Sequence, residues 1–343
     1  MLLIRHHPLS DNGLRQCLRI ATGATLGFLI AKVFEFNNTV FFTVTPMLLL
    51  GLVPVMNMRV SRQVVVASVL SIVEVGVIAA LFAGKPVVMT MIAFVLFLYR
   101  FAAMSRGPLF LFGANGVISL SIMLHFASYP DTDLNDLIFC NFWGHITSIG
   151  IAFLMMVVFP DVEERAAPEG VTKAPHRMRH EALLGATVAS LSFAVFQIFD
   201  LRDSLSAQAT TLLLLFPMHW NGALSYARLR AFGTVLGVSC GLLIQLLLYR
   251  WSHELLLILP LFWIFSLLFS QAHITEALGS GVGFGGMTTM GILYGQYLTP
   301  NNDLIYSGLY RVSSILVATI GTLIACYLVH SLLNRFESTR FGE

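Results

Sequence analysis

Long apolar runs, broken by short polar connections, dominate the chain. A helix needs about 20 apolar residues to cross the hydrocarbon core of a bilayer. Twelve segments meet or approach that length. They are 14–33, 39–56, 63–83, 86–101, 107–127 and 137–159 in the first half, and 181–199, 205–220, 230–249, 254–270, 277–295 and 305–333 in the second. The second and eighth are short and interrupted by proline, Pro46 and Pro54 in one and Pro217 in the other. The pattern predicts an all-α fold, a polytopic membrane protein with about 12 transmembrane helices.

The two halves resemble each other. Gly23-Ala-Thr-Leu-Gly27 answers Gly185-Ala-Thr-Val-Ala189, and Pro54 before Arg59 and Arg62 answers Pro217 before Arg228 and Arg230. Gly113 and Gly116 recur as Gly283 and Gly286, and Asp133-Leu134 recurs as Asp303-Leu304. The four matches keep one order, with offsets between 162 and 170. The expected organisation is two parallel six-helix repeats, 1–160 and 181–343, joined by a polar cytoplasmic linker, 161–180.

Composition agrees with lipid as the main solvent. The 343 residues are 57% hydrophobic and only 11% charged, where soluble domains run near 25%; mean hydropathy is +0.80. The distribution of Lys and Arg sets an orientation. Fifteen of the 20 fall on one side of the twelve-span scheme, including Arg15, Arg19, Arg59, Arg62, Arg100, Arg106, Arg228 and Arg230. Only Lys32, Lys85, Arg202, Arg250 and Arg311 fall on the other. Both termini are expected in the cytoplasm. The N-terminal stretch lacks a signal-peptide pattern, so the first helix is expected to stay in the protein. The scattered cysteines Cys17, Cys140, Cys240 and Cys326 have no metal-ligand spacing.

The stretch Arg230-Ala-Phe-Gly233-Thr234-Val-Leu-Gly237 resembles the Arg-x-x-Gly-Thr-x-x-Gly signature of the fusaric-acid-resistance (FUSC) and aromatic-acid-exporter superfamily. Plant aluminium-activated malate channels are more distant relatives of that superfamily. The first half has Arg62-Gln-Val-Val-Val-Ala-Ser at the matching place, without the glycines, and the chain lacks the sizeable cytoplasmic domains typical of those exporters. The resemblance implies efflux of amphipathic or aromatic organic acids or drug-like molecules across an inner membrane, often with a periplasmic adaptor (membrane-fusion) protein. A passive organic-anion channel is the alternative within transport, and a membrane-embedded lipid or glycan transferase the alternative outside it. Expected partners are a small-molecule substrate, the bilayer, the adaptor and, as an open alternative, further copies of the chain. No nucleic-acid partner, enzyme activity or cofactor is expected, and no Walker A motif is present.

Within the predicted helices, a few residues stand out. Six glycines fall within 279–291, and a continuous helix is not expected there. Gly281, Gly283, Gly285, Gly286 and Thr288, with Gly113, Asn115 and Gly116 in the first repeat, are candidates for a translocation path. Tight helix packing is the competing reading of the same glycines. Glu74 lies about 18 Å along its helix from Arg62, a costly depth for a charge. It is a candidate proton-coupling residue, with Arg311 as candidate partner and His145 as a second titratable group. Arg230 is read as an anchor at the cytoplasmic interface or a receiver of an anionic solute. His176 and His180 lack a third ligand for a metal. Asp131 and Asp133 read as caps of the helix that follows.

Overall fold

The computed structural model describes residues 9–82, 84–129, 131–165, 173–201, 204–248, 251, 254–276, 281–297 and 304–342. They form twelve α-helices and no β-strand among the described residues. The helices are α1 (Asp11–Val33), α2 (Val40–Leu52), α3 (Met58–Phe82), α4 (Pro86–Ser105), α5 (Phe110–Ala127) and α6 (Leu134–Val158). In the second half they are α7 (Pro175–Ile198), α8 (Leu205–Leu214), α9 (Trp220–Leu248), α10 (Leu255–Thr275), α11 (Val282–Tyr297) and α12 (Leu304–Leu333). Every apolar segment of the sequence overlaps one of them. Eight are long and apolar enough to cross a bilayer: α3 to α7, α9, α10 and, from Gly308, α12. The chain is a multi-pass membrane protein. α2 and α8, with 13 and 10 residues, are shorter than a span.

Local chemistry sets the helix starts. Ser10 Oγ accepts the Gly13 N–H at 3.1 Å and caps α1. Proline occupies the first position of α4 and α7, where its missing N–H costs no helix bond. Asp133 Oδ1 accepts the N–H groups of Asn135 and Asp136 at 3.0 and 3.1 Å, the capping role predicted for it. α7 begins at Pro175, inside the expected linker, of which residues 166–172 lie outside the described residues.

Contacts divide the chain into two compact units, and each takes helices from both sequence halves. The first comprises Met1–Asn57, Phe139–Ala167 and Arg228–Ser313. In it α1 packs on α2 and α10, and α11 on α10 and α2. Phe28 stacks on Phe262 at 5.1 Å between ring centroids and meets Tyr294 edge-on. The second comprises Met58–Ile138, Pro168–Ala227 and Ser314–Glu343. There α4 packs on α7 and α5, and α5 on α3 and α8. The exposed faces are apolar at helical spacing: Val66, Val69, Val73 and Val77 on α3, and Val317, Ile320, Ile324 and Leu328 on α12. Such stripes are unfavourable in water and match lipid.

Candidate functional site

The glycine-rich stretch of the first unit is a regular helix from Val282 onward, which corrects the expectation of a broken one. Gly281 lies just before its start, and Gly279 lies outside the described residues. Each helical glycine costs about 1 kcal/mol relative to alanine. Here the missing side chains let backbones touch. A Cβ on Gly233 would strike the Val282 carbonyl, and one on Gly237 the Gly286 carbonyl. One on Gly283 would strike the Phe269 carbonyl and the His273 amide, and one on Gly286 the Phe269 ring. Helix α11 is thus packed backbone to backbone against α9 and α10, so the packing reading accounts for these glycines. Glu276 Oε1 accepts the Gly283 N–H at 3.0 Å and satisfies one of the free donors at the start of α11.

Arg230 lies in the middle of this packing. α9 starts at Trp220, so Arg230 is about 15 Å into the helix and not at its first residue, where the sequence placed it, a second correction. Its side chain is 0% exposed. Nη1 donates to Thr288 Oγ1 at 2.6 Å, and Thr288 in turn donates to the Phe284 carbonyl. A Cβ on Gly285 would stand 3.4 Å from Arg230 Cδ, an ordinary packing contact. Among the described residues, Nε and Nη2 have no hydrogen-bond partner. A buried guanidinium with one neutral contact keeps most of its desolvation penalty, of order several kcal/mol. Thr234 bonds back to the Arg230 carbonyl at 2.9 Å and does not reach the charge.

The second unit also buries an arginine against glycines, but with a counter-charge. Arg100, expected at the end of a span, is 0% exposed within α4. Its Nη2 meets Glu74 Oε2 at 2.7 Å. The partner of Glu74 is therefore Arg100, where sequence reasoning had nominated Arg311. A Cβ on Gly116 would stand 2.9 Å from Arg100 Cδ and Nε, and one on Gly113 would strike the Arg100 carbonyl. The guanidinium lies 4.8 Å from the Phe112 ring centroid, a cation–π contact. Its Nε and Nη1 have no hydrogen-bond partner. Asn115 turns to the Val64 carbonyl at 3.4 Å, away from this pair.

The remaining candidates do not join these clusters through any described bond. His145 is buried in α6 and its Nδ1 bonds the Asn141 carbonyl at 2.7 Å. Arg311 is 2% exposed in α12. Arg19, counted among the loop cations, is buried in α1 and fully engaged. It pairs with Asp161 at 3.0 Å and donates to the carbonyls of Phe159 and Pro54. Sequence reasoning missed Arg100 as a site residue; the signal was a cation inside the apolar run Phe97-Leu-Tyr-Arg100-Phe-Ala-Ala.

Glu74 and Arg100 lie inside a stretch of the chain that matches a known family. Residues 16–155 match the family described as Protein of unknown function (DUF2955). The DUF2955 match runs from α1 into α6 and takes in Gly113 and Gly116 as well; Arg230 lies beyond it. No curated protein and no solved structure matches the chain.

Proposed function

We propose that this chain exports small organic anions, amphipathic or aromatic acids, through an inner membrane with both termini in the cytoplasm. The observation that carries this reading is Arg230, a fully buried guanidinium with two nitrogen atoms left without acceptors. Ionisable groups inside membrane helices mark ion and substrate paths. A carboxylate suits the unused donors of a guanidinium in charge and in geometry. The likeness of residues 230–237 to the aromatic-acid-exporter signature supports the same substrate class, and with it a periplasmic adaptor. The test is flux of radiolabelled benzoate from proteoliposomes holding the purified chain. Saturable efflux above protein-free liposomes is expected; equal rates would reject transport of this class.

The Glu74–Arg100 pair bears on the driving force. A proton-for-anion exchanger needs protonation to displace the anion. This pair has the opposite sign: a proton on Glu74 removes the counter-charge and opens Arg100 to an anion. In that arrangement the proton opens the path of the anion and is not exchanged for it. That favours the channel-like alternative, anions leaving down a membrane potential that is negative inside. With the potential clamped at zero, an imposed pH gradient is then expected to give no benzoate accumulation beyond that of protein-free vesicles, for wild type and for Glu74→Gln alike. Accumulation by wild type that Glu74→Gln loses would establish proton exchange instead.

A further inference from the structure

At one end of the second unit, the segment after α12 folds back over a half-open cavity of about 430 Å³. Its walls include His219, Asn221, Asn334 and Arg340, with the rings of Trp220 and Phe341. None of these walls is a carboxylate.

Hydrogen-bond accounting fixes what the walls offer. His180 Nδ1 lies 2.7 Å from the Thr339 carbonyl, which can only accept, so Nδ1 carries the proton. Neutral His180 then accepts at Nε2, so His330 Nδ1, 2.9 Å away, is the donor. Neutral His330 accepts at Nε2, which takes one N–H from Asn334 Nδ2 at 2.9 Å. Asn334 Oδ1 accepts the Phe341 N–H at 2.9 Å. His219 Nδ1 accepts the Gly222 N–H at 3.0 Å, so its proton is on Nε2. The imidazole acceptors are thus all used inside the fold. The exposed Asn221 amide can donate or accept; the other groups that remain are donors, His219 Nε2–H, the second Asn334 N–H and the Arg340 guanidinium.

The surroundings add positive charge. Lys173 and Arg177 share the single carboxylate of Glu181, at 2.6 and 3.2 Å. Arg177 also covers the Phe341 ring at 4.7 Å. Phe341 in turn lies edge-on to His180 and tilted to His219, which holds the tail over the cavity.

We propose that this cavity binds a small organic anion, a carboxylate or phosphate monoester carrying a flat apolar group. The anionic head meets His219, Asn334 and Arg340, and the flat part lies against Trp220 and Phe341. A pocket of this volume falls in the range that holds small organic ligands, about 300–1,000 Å³. The site uses none of the residues assigned to transport and stands whether or not the chain is a transporter. Its source is a soluble acid or the headgroup of an anionic lipid.

Burial, with Arg177, holds the His219 imidazole below its usual range, while Glu181 pulls the other way and Lys173 and His330 add to the depression. His219 Nδ1 is held by the Gly222 N–H, so the imidazole serves as a neutral donor through Nε2. Benzoate affinity is expected to change little between pH 8 and 6.

Trp220 fluorescence of the full-length chain is the readout, with benzoate and phenyl phosphate as probes in detergent. Nanodiscs of phosphatidylcholine, with and without phosphatidylglycerol, provide the lipid arm. Saturable quenching by either probe, absent in Trp220→Phe and weakened at least tenfold in Arg340→Gln and in Asn221→Asp, supports a soluble ligand. A response to phosphatidylglycerol alone, weakened by the same two substitutions, supports the headgroup. Both variants alter exposed side chains, and unchanged melting temperatures verify their folding. No saturable response in any arm, or equal responses in Arg340→Gln and wild type, overturns the proposal.

Discussion

Arg230→Met is expected to abolish organic-anion transport while leaving the melting temperature unchanged or higher. The two halves of that result have one cause. Arg230 is completely buried and makes a single side-chain hydrogen bond, to Thr288. If the charge served only the fold, removing it would remove a stabilising contact. With Nε and Nη2 unbonded, the charge is a net cost to the folded chain. Replacing buried charges by apolar side chains of similar volume is neutral or stabilising by about 1–4 kcal/mol. Losing a buried charge-assisted contact to a ligand costs about 2–5 kcal/mol, so anion affinity should fall roughly 30-fold or more. Arg230→Lys keeps the charge but loses the planar fork, and an intermediate loss is expected. The measurements are benzoate flux in proteoliposomes and thermal unfolding in the same detergent. A variant that transports normally, or that unfolds well below wild type, would assign Arg230 to structure.

Gly237→Leu is expected to eliminate folded, monodisperse protein. Its Cβ would collide with the carbonyl of Gly286, and a backbone oxygen inside a helix cannot turn aside. The two helices would have to separate, and Gly233 faces the Val282 carbonyl one turn away in the same way. Even Gly237→Ala should destabilise, by about 1–3 kcal/mol, the usual cost of overpacking. Gly76, Gly150 and Gly321 provide the contrast. They are helical, and a Cβ at each meets nothing within 4 Å. Alanine there should stabilise by up to about 1 kcal/mol through helix propensity alone. Thermal unfolding of the single variants checks both signs. Equal behaviour of Gly237→Ala and Gly76→Ala would remove the close-packing account.

The candidate site was legible in part. The glycines at 283–286 and the arginine at 230 were visible as unusual residues in apolar runs, but not what they touch. The glycines were read as breaks in a helix or as close packing, and the arginine as an interfacial anchor or a receiver of an anionic solute. Periodicity and propensity are local quantities. They register the cost of glycine in a helix and miss the backbone contact that offsets it, because that contact lies on α9 or α10. The same limit singled out Glu74 as a carboxylate in an apolar run but chose the wrong partner. Glu74 and Arg100 are 26 positions apart on successive helices, and only packing puts them at 2.7 Å.

The sequence by itself determined the solvent and the elements. Runs of apolar residues at membrane length dictate helices, since a backbone in lipid must satisfy its own hydrogen bonds, and all twelve appear where those runs lie. Proline and aspartate set helix starts through bonds to immediate neighbours, and those too were readable. The tertiary structure alone decided how the helices sort into units. The contact units cut across the two halves of the chain, joining α1 and α2 with α10 and α11, and α4 with α7. Apolar faces in lipid are interchangeable, so hydrophobicity cannot choose partners. The choice is made by shape, where a missing Cβ lets two backbones meet, and by the few buried charges, whose partners are fixed by distance and not by position in the chain.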